Sequence, residues 1–519
     1  MRLVFPIGFL LLASLANVWG YSYLILAPTA SKSHYTVMSS LAKGLAAAGH
    51  EVTYISPFSQ SKPVKNLTEI TTPNVIEAMK VSKSKILQNT KLSIWKRYPV
   101  ILAMGLKITN TFLEEPKVMA FMKEKRTFDA VIVEVFMNEA HFGFAELFNA
   151  SLITVSTFGA STWTTDLVGT PSPPSYVPHL MTELKDRMSF LERAINLAFI
   201  SFEFVYLKWF SMPRQHSVYH KHFPDNKLDF HEMQRNTALV LLNSHVSLNF
   251  PRPYAPNMIE VGGMHINYKT KQLPKDIEEF INGAEHGVIY FSLGSNVRSK
   301  DLPLEKRKAI VETLKGLKQR VLWKFEESNF AEKPNNVFIS DWFPQDDILA
   351  HDKVIAFITH GGLLSTTESI YHGKPVIGIP IFGDQFTNMA RAVQSGYGAS
   401  VKYSDLTYER LHNAIKAVIT DPSYTEKVRA MSRRFRDQKE TPLQRAIYWI
   451  EHVSREKGAQ YLRSACQDLN FVQYHNLDVF ALFFGILLSI LVALTILTNI
   501  LVRFLKTKLG NSKVKHKKL

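Results

Sequence analysis

Apolar runs of strand length recur through most of the chain, each bounded by Gly, Pro or polar residues. One series covers residues 21–27, 51–55, 128–136, 152–156 and 238–243; a second covers 259–263, 287–293, 321–325, 337–339, 354–358 and 375–379. Between them lie segments of helical periodicity: 37–48, closed by Gly49 as a C-cap, then 364–371, 388–395, 406–419, 424–436 and 444–457. Continuously apolar strands alternating with helices predict parallel sheets covered on both faces, an α/β chain of doubly wound, Rossmann-like domains. The extended segment Phe-Pro-Arg-Pro-Tyr-Ala-Pro at 250–256 reads as a linker. It divides a first domain, 21–250, from a second, 251–465.

Both ends depart from this pattern. Residues 1–20 carry an early Arg2, an apolar stretch and a small Gly20, which reads as a secretory signal peptide. Residues 479–502 run 24 positions without a charge. As a helix they extend about 36 Å, enough to cross a bilayer core of about 30 Å. The basic segment 503–519 follows and predicts a cytosolic tail, with the rest of the chain lumenal. Asn66-Leu-Thr68 and Asn149-Ala-Ser151 are then glycosylation acceptors. Residues 188–210 are rich in Phe, Leu and Ile but carry recurring charges, so they suit helices lining an apolar cleft, resting on a membrane surface or packing in the core better than a span. A proline-rich loop, 169–178, precedes them and is expected to edge the same cleft.

At 519 residues the chain has room for two or three cores. The net charge of +16 suggests nucleic acid until it is placed: seven of those positives lie in the terminal tail, and the nine left are spread thinly. Nucleic acid is therefore not an expected partner. Cys466 is the only cysteine, so no intrachain disulfide can form.

The densest chemistry lies at 357–385. A strand ends at His360-Gly361-Gly362 and a helix begins with Ser365, Thr366 and Thr367; a second strand follows and leads to Asp384-Gln385. This is a βαβ unit whose glycine turn and helix start suit an anion. An ordinary buried βαβ unit would carry a similar pattern. His360 can donate to a phosphate oxygen, and Glu368, about one turn beyond Ser365, can accept from sugar hydroxyls. Gly294-Ser295, at the end of another strand, offers a second phosphate contact. His34 follows the first strand in a polar loop, where an imidazole neutral near pH 7 could act as a base or simply be solvated.

The segment resembles the signature of the UDP-glycosyltransferase family, in particular its membrane-bound animal UDP-glucuronosyltransferase type. The match covers Thr359, His360, Gly361, Gly362, Ser365, Glu368, Pro375, Pro380, Asp384 and Gln385. The resemblance extends over nearly the whole chain and implies a GT-B architecture, two Rossmann-like domains facing a cleft, with the last helices crossing back onto the first domain. It implies inverting transfer of a glucuronosyl or glucosyl unit from a UDP-sugar to a hydroxyl of a small lipophilic acceptor, for detoxification or clearance. His34 takes the place of the family's catalytic base. Glu134 takes that of the acid holding it, where vertebrate members usually have Asp, with Glu139 as a rival. Trp342 and Gln345 correspond to the uridine shelf, Asp384 and Gln385 to the sugar contacts, and Ser295, His360, Gly362, Ser365 and Glu368 complete the donor site.

No metal-binding Asp-x-Asp motif lies near these residues, and no cofactor beyond the donor co-substrate is expected. The final Lys-His-Lys-Lys-Leu resembles an endoplasmic reticulum retrieval signal, implying a single-pass type I protein of that membrane. A membrane-anchored binder of apolar molecules and a UDP-sugar epimerase are the alternative readings, and self-association into a homo-oligomer stays open.

Overall fold

The computed structural model describes residues 20–88, 93–295, 297–327 and 329–515. The expected signal peptide and the end of the tail lie outside these residues.

The first strand series forms one sheet of seven: β1 (Ser22–Leu26), β2 (Glu51–Ser56), β3 (Leu67–Thr71), β4 (Ala130–Glu134), β5 (Ser151–Ser156), β6 (Thr237–Leu242) and β7 (Met258–Glu260). The order is β3-β2-β1-β4-β5-β6-β7, and every pairing is parallel. The second series forms a sheet of six: β8 (Val288–Ser292), β9 (Arg320–Lys324), β10 (Val337–Ser340), β11 (Val354–Thr359), β12 (Val376–Gly378) and β13 (Gly398–Ser400). Its order, β10-β9-β8-β11-β12-β13, is again all parallel.

Each sheet starts in its middle, runs outward, then returns to continue on the other side. The reversal falls between β1 and β4 in one sheet and between β8 and β11 in the other. Outside the carboxyl ends of the strands flanking such a reversal, the loops diverge to opposite faces and leave a crevice. The central strands are apolar on both faces because helices cover both. Two buried clusters flank the first sheet and two the second.

One expectation is corrected. Residues 259–263 were expected to open the second domain, but Met258–Glu260 pairs with β6 and completes the first sheet. The proline-punctuated linker is a loop inside the first lobe, and the passage to the second follows β7. Residues 188–210 form a helix, Phe190–Tyr206, that runs through a π-turn, Leu207–Ser211, into the helix Met212–His222. Ile195 reaches the interlobe cavity, but Phe190, Leu191 and Trp209 are exposed, so much of this apolar surface faces outward rather than into a core.

The helix Pro442–Arg455 crosses back to the first sheet. Ala446, Ile450 and Val453 are buried in its core beside the helix Lys32–Ala47, and Glu451 pairs with His50 at 2.9 Å. The chain divides into two compact units between Arg463 and Ser464, and both lobes belong to the first. In the second, the helix Leu477–Lys515 contains the one segment among the described residues that is long and apolar enough to cross a membrane, Leu477–Lys508.

Because Ile450 is fully buried in the first lobe's core, Ile450→Ala is expected to cost about 2–5 kcal/mol. Denaturation of the detergent-solubilised chain would show it as a lowered midpoint; an unchanged midpoint would remove the crossing helix from the core.

Candidate active site

The helix that follows β1 begins at Lys32, earlier than its periodicity suggests, so His34 stands in its first turn rather than in a loop. Parallel pairing sets Leu26 beside Val133 and Glu134 beside Val155, which brings the ends of β1, β4 and β5 together. Glu134 has no exposed surface. Its Oε1 takes the hydrogen bond from His34 Nδ1. The Thr157 hydroxyl donates to the same oxygen at 3.4 Å and lies 3.0 Å from His34 Nδ1; the Thr29 N–H reaches Oε2 at 3.4 Å.

A buried carboxylate requires such donors. With Nδ1–H held by Glu134, the His34 lone pair is on Nε2. Phe136 and Phe158 flank the ring edge-on, with centroids 5.1 and 5.3 Å away. Glu139, the rival, makes no contact with His34: it sits in the turn Glu139–Phe142, its Oε2 is buried without a partner, and burial pushes its carboxyl up to about 7.

In the second lobe His360 follows β11 and Gly294 follows β8, across the reversal of that sheet. The imidazole is wedged between two glycines: a Cβ on Gly294 would lie 2.5 Å from the ring, and one on Gly362 2.6 Å. Gly294 also has φ +79°, which a side chain would strain. Burial, then the charge of Lys324, pushes His360 down to about 4, so the ring is neutral near pH 7. Gly362 precedes the helix Leu363–Tyr371, whose first N–H groups are free of intrahelical partners. Ser365 is at this helix start.

Gln345 Nε2 donates to Ser365 Oγ at 3.1 Å and to Glu368 Oε2 at 2.5 Å, leaving the Gln345 carbonyl as its free acceptor. Glu368 Oε1 lies 3.3 Å from His265 Nε2. Trp342 is 64% exposed, hence not a core residue, and borders the same cavity with Ser295.

Asp384 and Gln385 begin the helix Gln385–Gln394. Burial raises the Asp384 carboxyl; the Asn388 amide, 2.8 Å away, and His34 from the opposite lobe act against the rise. Gln385 differs from expectation. Its carbonyl accepts from the Ile381 and Phe382 N–H groups at 2.8 and 3.0 Å, so only its amide nitrogen is left for a ligand.

All these groups except Glu134 and Glu139 line one cavity of about 1050 Å³ between the lobes, His34 from one side and His360, Gly362, Ser365, Glu368, Asp384 and Gln385 from the other. The proline-rich loop 169–178 does not line it; the segment just after it, from Leu180 to Leu184, does. Sequence reasoning missed Thr157, Lys324, His265 and the aromatic wall of Phe136, Phe158 and Trp163. The position of Thr157 just past a strand beside the reversal was a usable signal. Lys324, paired with Glu326 at 2.7 Å, carried none. Asn66 and Asn149 are exposed, both with positive φ, and the Asn66 amide donates to Ala46 O at 3.2 Å. Among the described residues no cluster of three or more His, Cys, Asp or Glu side chains is arranged to hold a metal ion.

Residues 23–516 match the family described as UDP-glucoronosyl and UDP-glucosyl transferase. The chain belongs to this family. It is 36% identical to UDP-glucosyltransferase 2 of Dactylopius coccus over 92% of each chain. It is 33% identical to UDP-glucuronosyltransferase 2B15 of Homo sapiens over 89% of this chain and 90% of that one. Two solved structures share its fold: the glycotransferase of kitacinnamycin (TM-score 0.56, 18% identity) and TcCGT1 in complex with UDP (TM-score 0.53, 16% identity), each over 84% of this chain and 99% of the other. The chain is thus a glycosyltransferase of GT-B architecture that takes its sugar from a UDP-sugar.

The two candidate carboxylates separate by substitution. Glu134→Gln is expected to lower turnover by tenfold or more, through loss of the charge that orients and supports the imidazole. Glu139→Gln is expected to keep turnover and to raise the melting midpoint at pH 8 but not at pH 4. The folded-state Glu139 value, about 7, exceeds the unfolded one, about 4.5, so the wild-type carboxyl favours folding at low pH and loses that advantage as pH rises towards 7. Kinetics and thermal scans at the two pH values test both; loss of activity in Glu139→Gln alone would reverse the assignment.

Proposed function

We propose that this enzyme moves a glucosyl or glucuronosyl unit from a UDP-sugar to a hydroxyl of a small lipophilic acceptor with inversion, giving a β-glycoside for clearance. The supporting observation is the pairing of the His34 imidazole with buried Glu134 on the opposite wall of one cavity from the glycine-framed helix start. A base facing an anion-binding helix start across one cavity is what such a transfer requires.

In this reading the acceptor O–H gives its proton to His34 Nε2 as its oxygen attacks the anomeric carbon. Glu134 steadies the imidazolium that forms, and Thr157 holds the carboxylate. The bond from that carbon to the diphosphate oxygen breaks, and its electron pair leaves with UDP. His360, Ser295, Ser365, Gly362 and the helix start stabilise the growing charge as preorganised neutral donors. Trp342 stacks on the uracil, the Gln345 carbonyl accepts from the uridine, and Glu368 takes ribose hydroxyls. Asp384 and the Gln385 amide hold the sugar. The aromatic wall beside His34 suits an apolar acceptor. The UDP-sugar is the only co-substrate in this scheme.

The same reading sets the protein in the endoplasmic reticulum membrane, entering by the segment 1–20, crossing once at 479–502, with lumenal lobes glycosylated at Asn66 and Asn149 and a basic cytosolic tail. Exposed Phe190, Leu191 and Trp209 favour contact of the first lobe with a lipid surface over a buried role.

Incubation with both donors and a panel of phenols and alcohols, read by product mass, decides donor and reaction together. His34→Ala is expected to lose about a hundredfold or more in turnover with little change in donor binding. Full turnover in that variant would eliminate His34 as the base, and UDP binding without transfer to any acceptor would make the chain a binder.

A further inference from the structure

The acceptor side of the cavity contains a cation that the transfer chemistry does not use. Among the described residues, the first lobe gives this cavity three cations, Lys32, Lys43 and Arg97, and one acid, Glu183; Lys32 lies over the Phe58 ring at 3.9 Å, whereas Arg97 stands among apolar residues. Arg97 belongs to the helix Ile94–Leu113. Ile94, Arg97, Ile101 and Met104 follow at intervals of three and four, so they form one helical face, and all four line the cavity. The guanidinium is therefore set into an otherwise apolar stripe.

Nothing among the described residues neutralises it. Its Nε is buried without a hydrogen-bond partner, and it forms no ion pair with a described carboxylate. Burial alone pushes Arg97 below its ordinary value, with no carboxylate, Glu183 included, acting against it. Residues 83–92, the preceding stretch whose side chains are not described, contain no Asp or Glu. The helix dipole makes matters worse, because Arg97 lies in the first turn, where the field disfavours a cation and where no acidic residue compensates. The residue is half-buried and only its Nε is both buried and unpartnered, so the rest of the fork stays available to an anion entering the cavity. Its planar fork fits a carboxylate best, through two parallel hydrogen bonds.

We propose that Arg97 is an acceptor-binding residue and that the preferred acceptors are hydroxylated aromatic or alicyclic acids, whose carboxylate pairs with Arg97 while their hydroxyl faces His34. This rests on the transferase reading above and narrows its acceptor class. The ring between the two groups would lie against Phe136, Phe158 and Trp163.

A matched acceptor pair tests it: 4-hydroxyphenylacetic acid and its methyl ester, assayed with wild type, Arg97→Leu and Arg97→Lys. The readout is the ratio of kcat/KM for acid over ester. Wild type is expected to favour the acid, and Arg97→Leu to lower the ratio about tenfold to a hundredfold, mainly through KM for the acid. Arg97→Lys, which keeps the charge without the fork, should restore part of it. A merely structural role would depress both acceptors and leave the ratio unchanged, which would overturn the proposal. So would an Arg97→Leu effect confined to KM for UDP-glucuronate relative to UDP-glucose, which would assign the cation to the donor's carboxylate. Absence of any product from the acid, the ester and neutral phenols alike in wild type, with either donor, would instead refute the transferase reading itself.

Discussion

Everything around His34 depends on one buried charge. Glu134 has no exposed surface, and a carboxylate taken out of water persists only where donors replace its hydration. Three come from separate places: the His34 ring from the helix after β1, the Thr157 hydroxyl from beyond β5, and the Thr29 N–H from the loop between β1 and that helix. The register of three adjacent parallel strands is what brings these groups to one point. Burial and ring orientation are thus the same constraint here: the hydrogen bond that makes the carboxylate tolerable also fixes the tautomer that leaves the Nε2 lone pair free.

The donor side solves the opposite problem. In the proposed reaction it receives a dianion, yet its central histidine is neutral, because burial and then Lys324 push His360 down to about 4. On that proposal a neutral ring would donate one hydrogen bond without pinning the diphosphate by full charge, so no fixed ion pair at His360 would oppose departure of UDP. Gly294 and Gly362 then have a role beyond letting backbone approach phosphate. They make the slot in which the ring fits, since a methyl group at either would occupy the imidazole's space. The glycine turn and the histidine are one feature.

The architecture was legible because continuous apolar strands and capped helices leave strong local patterns, and the family signature picked out residues that the fold brings to one cavity. What escaped has local reasons. β3 (Leu-Thr-Glu-Ile-Thr) is an edge strand, only partly buried, so it lacks the apolar run of a central strand. β13 is three small residues, Gly-Ala-Ser. The helix Ile94–Leu113 contains Pro99, which reads as a break. β7 was assigned to the wrong lobe because a proline-rich loop resembles a domain linker whether or not the chain then returns to the same sheet. Within the site, the fit of Glu134 rather than Glu139 was undecidable from spacing, because it depends on which strand-end side chain the pairing with β5 turns inward. Arg97 was invisible for a similar reason: its significance lies in the absence of a partner, which no stretch of sequence displays.

The two halves of the cavity are also mechanically joined. Thr387, in the helix that Asp384 and Gln385 begin, donates to the carbonyls of Leu180 and Thr182 at 3.1 and 2.6 Å, and Leu180 to Leu184 is a wall of the acceptor side. Arg391 of the same helix donates to Asn249 at 2.5 Å, in the loop of the first lobe that leads to β7. The segment that would grip the sugar is therefore tied by short hydrogen bonds to the segment that would shape the acceptor pocket. A shift of the sugar-binding helix must either break these bonds or carry the acceptor wall with it. On the proposed reading, donor engagement and acceptor geometry would be coupled through Thr387, locally within one cavity rather than through either sheet.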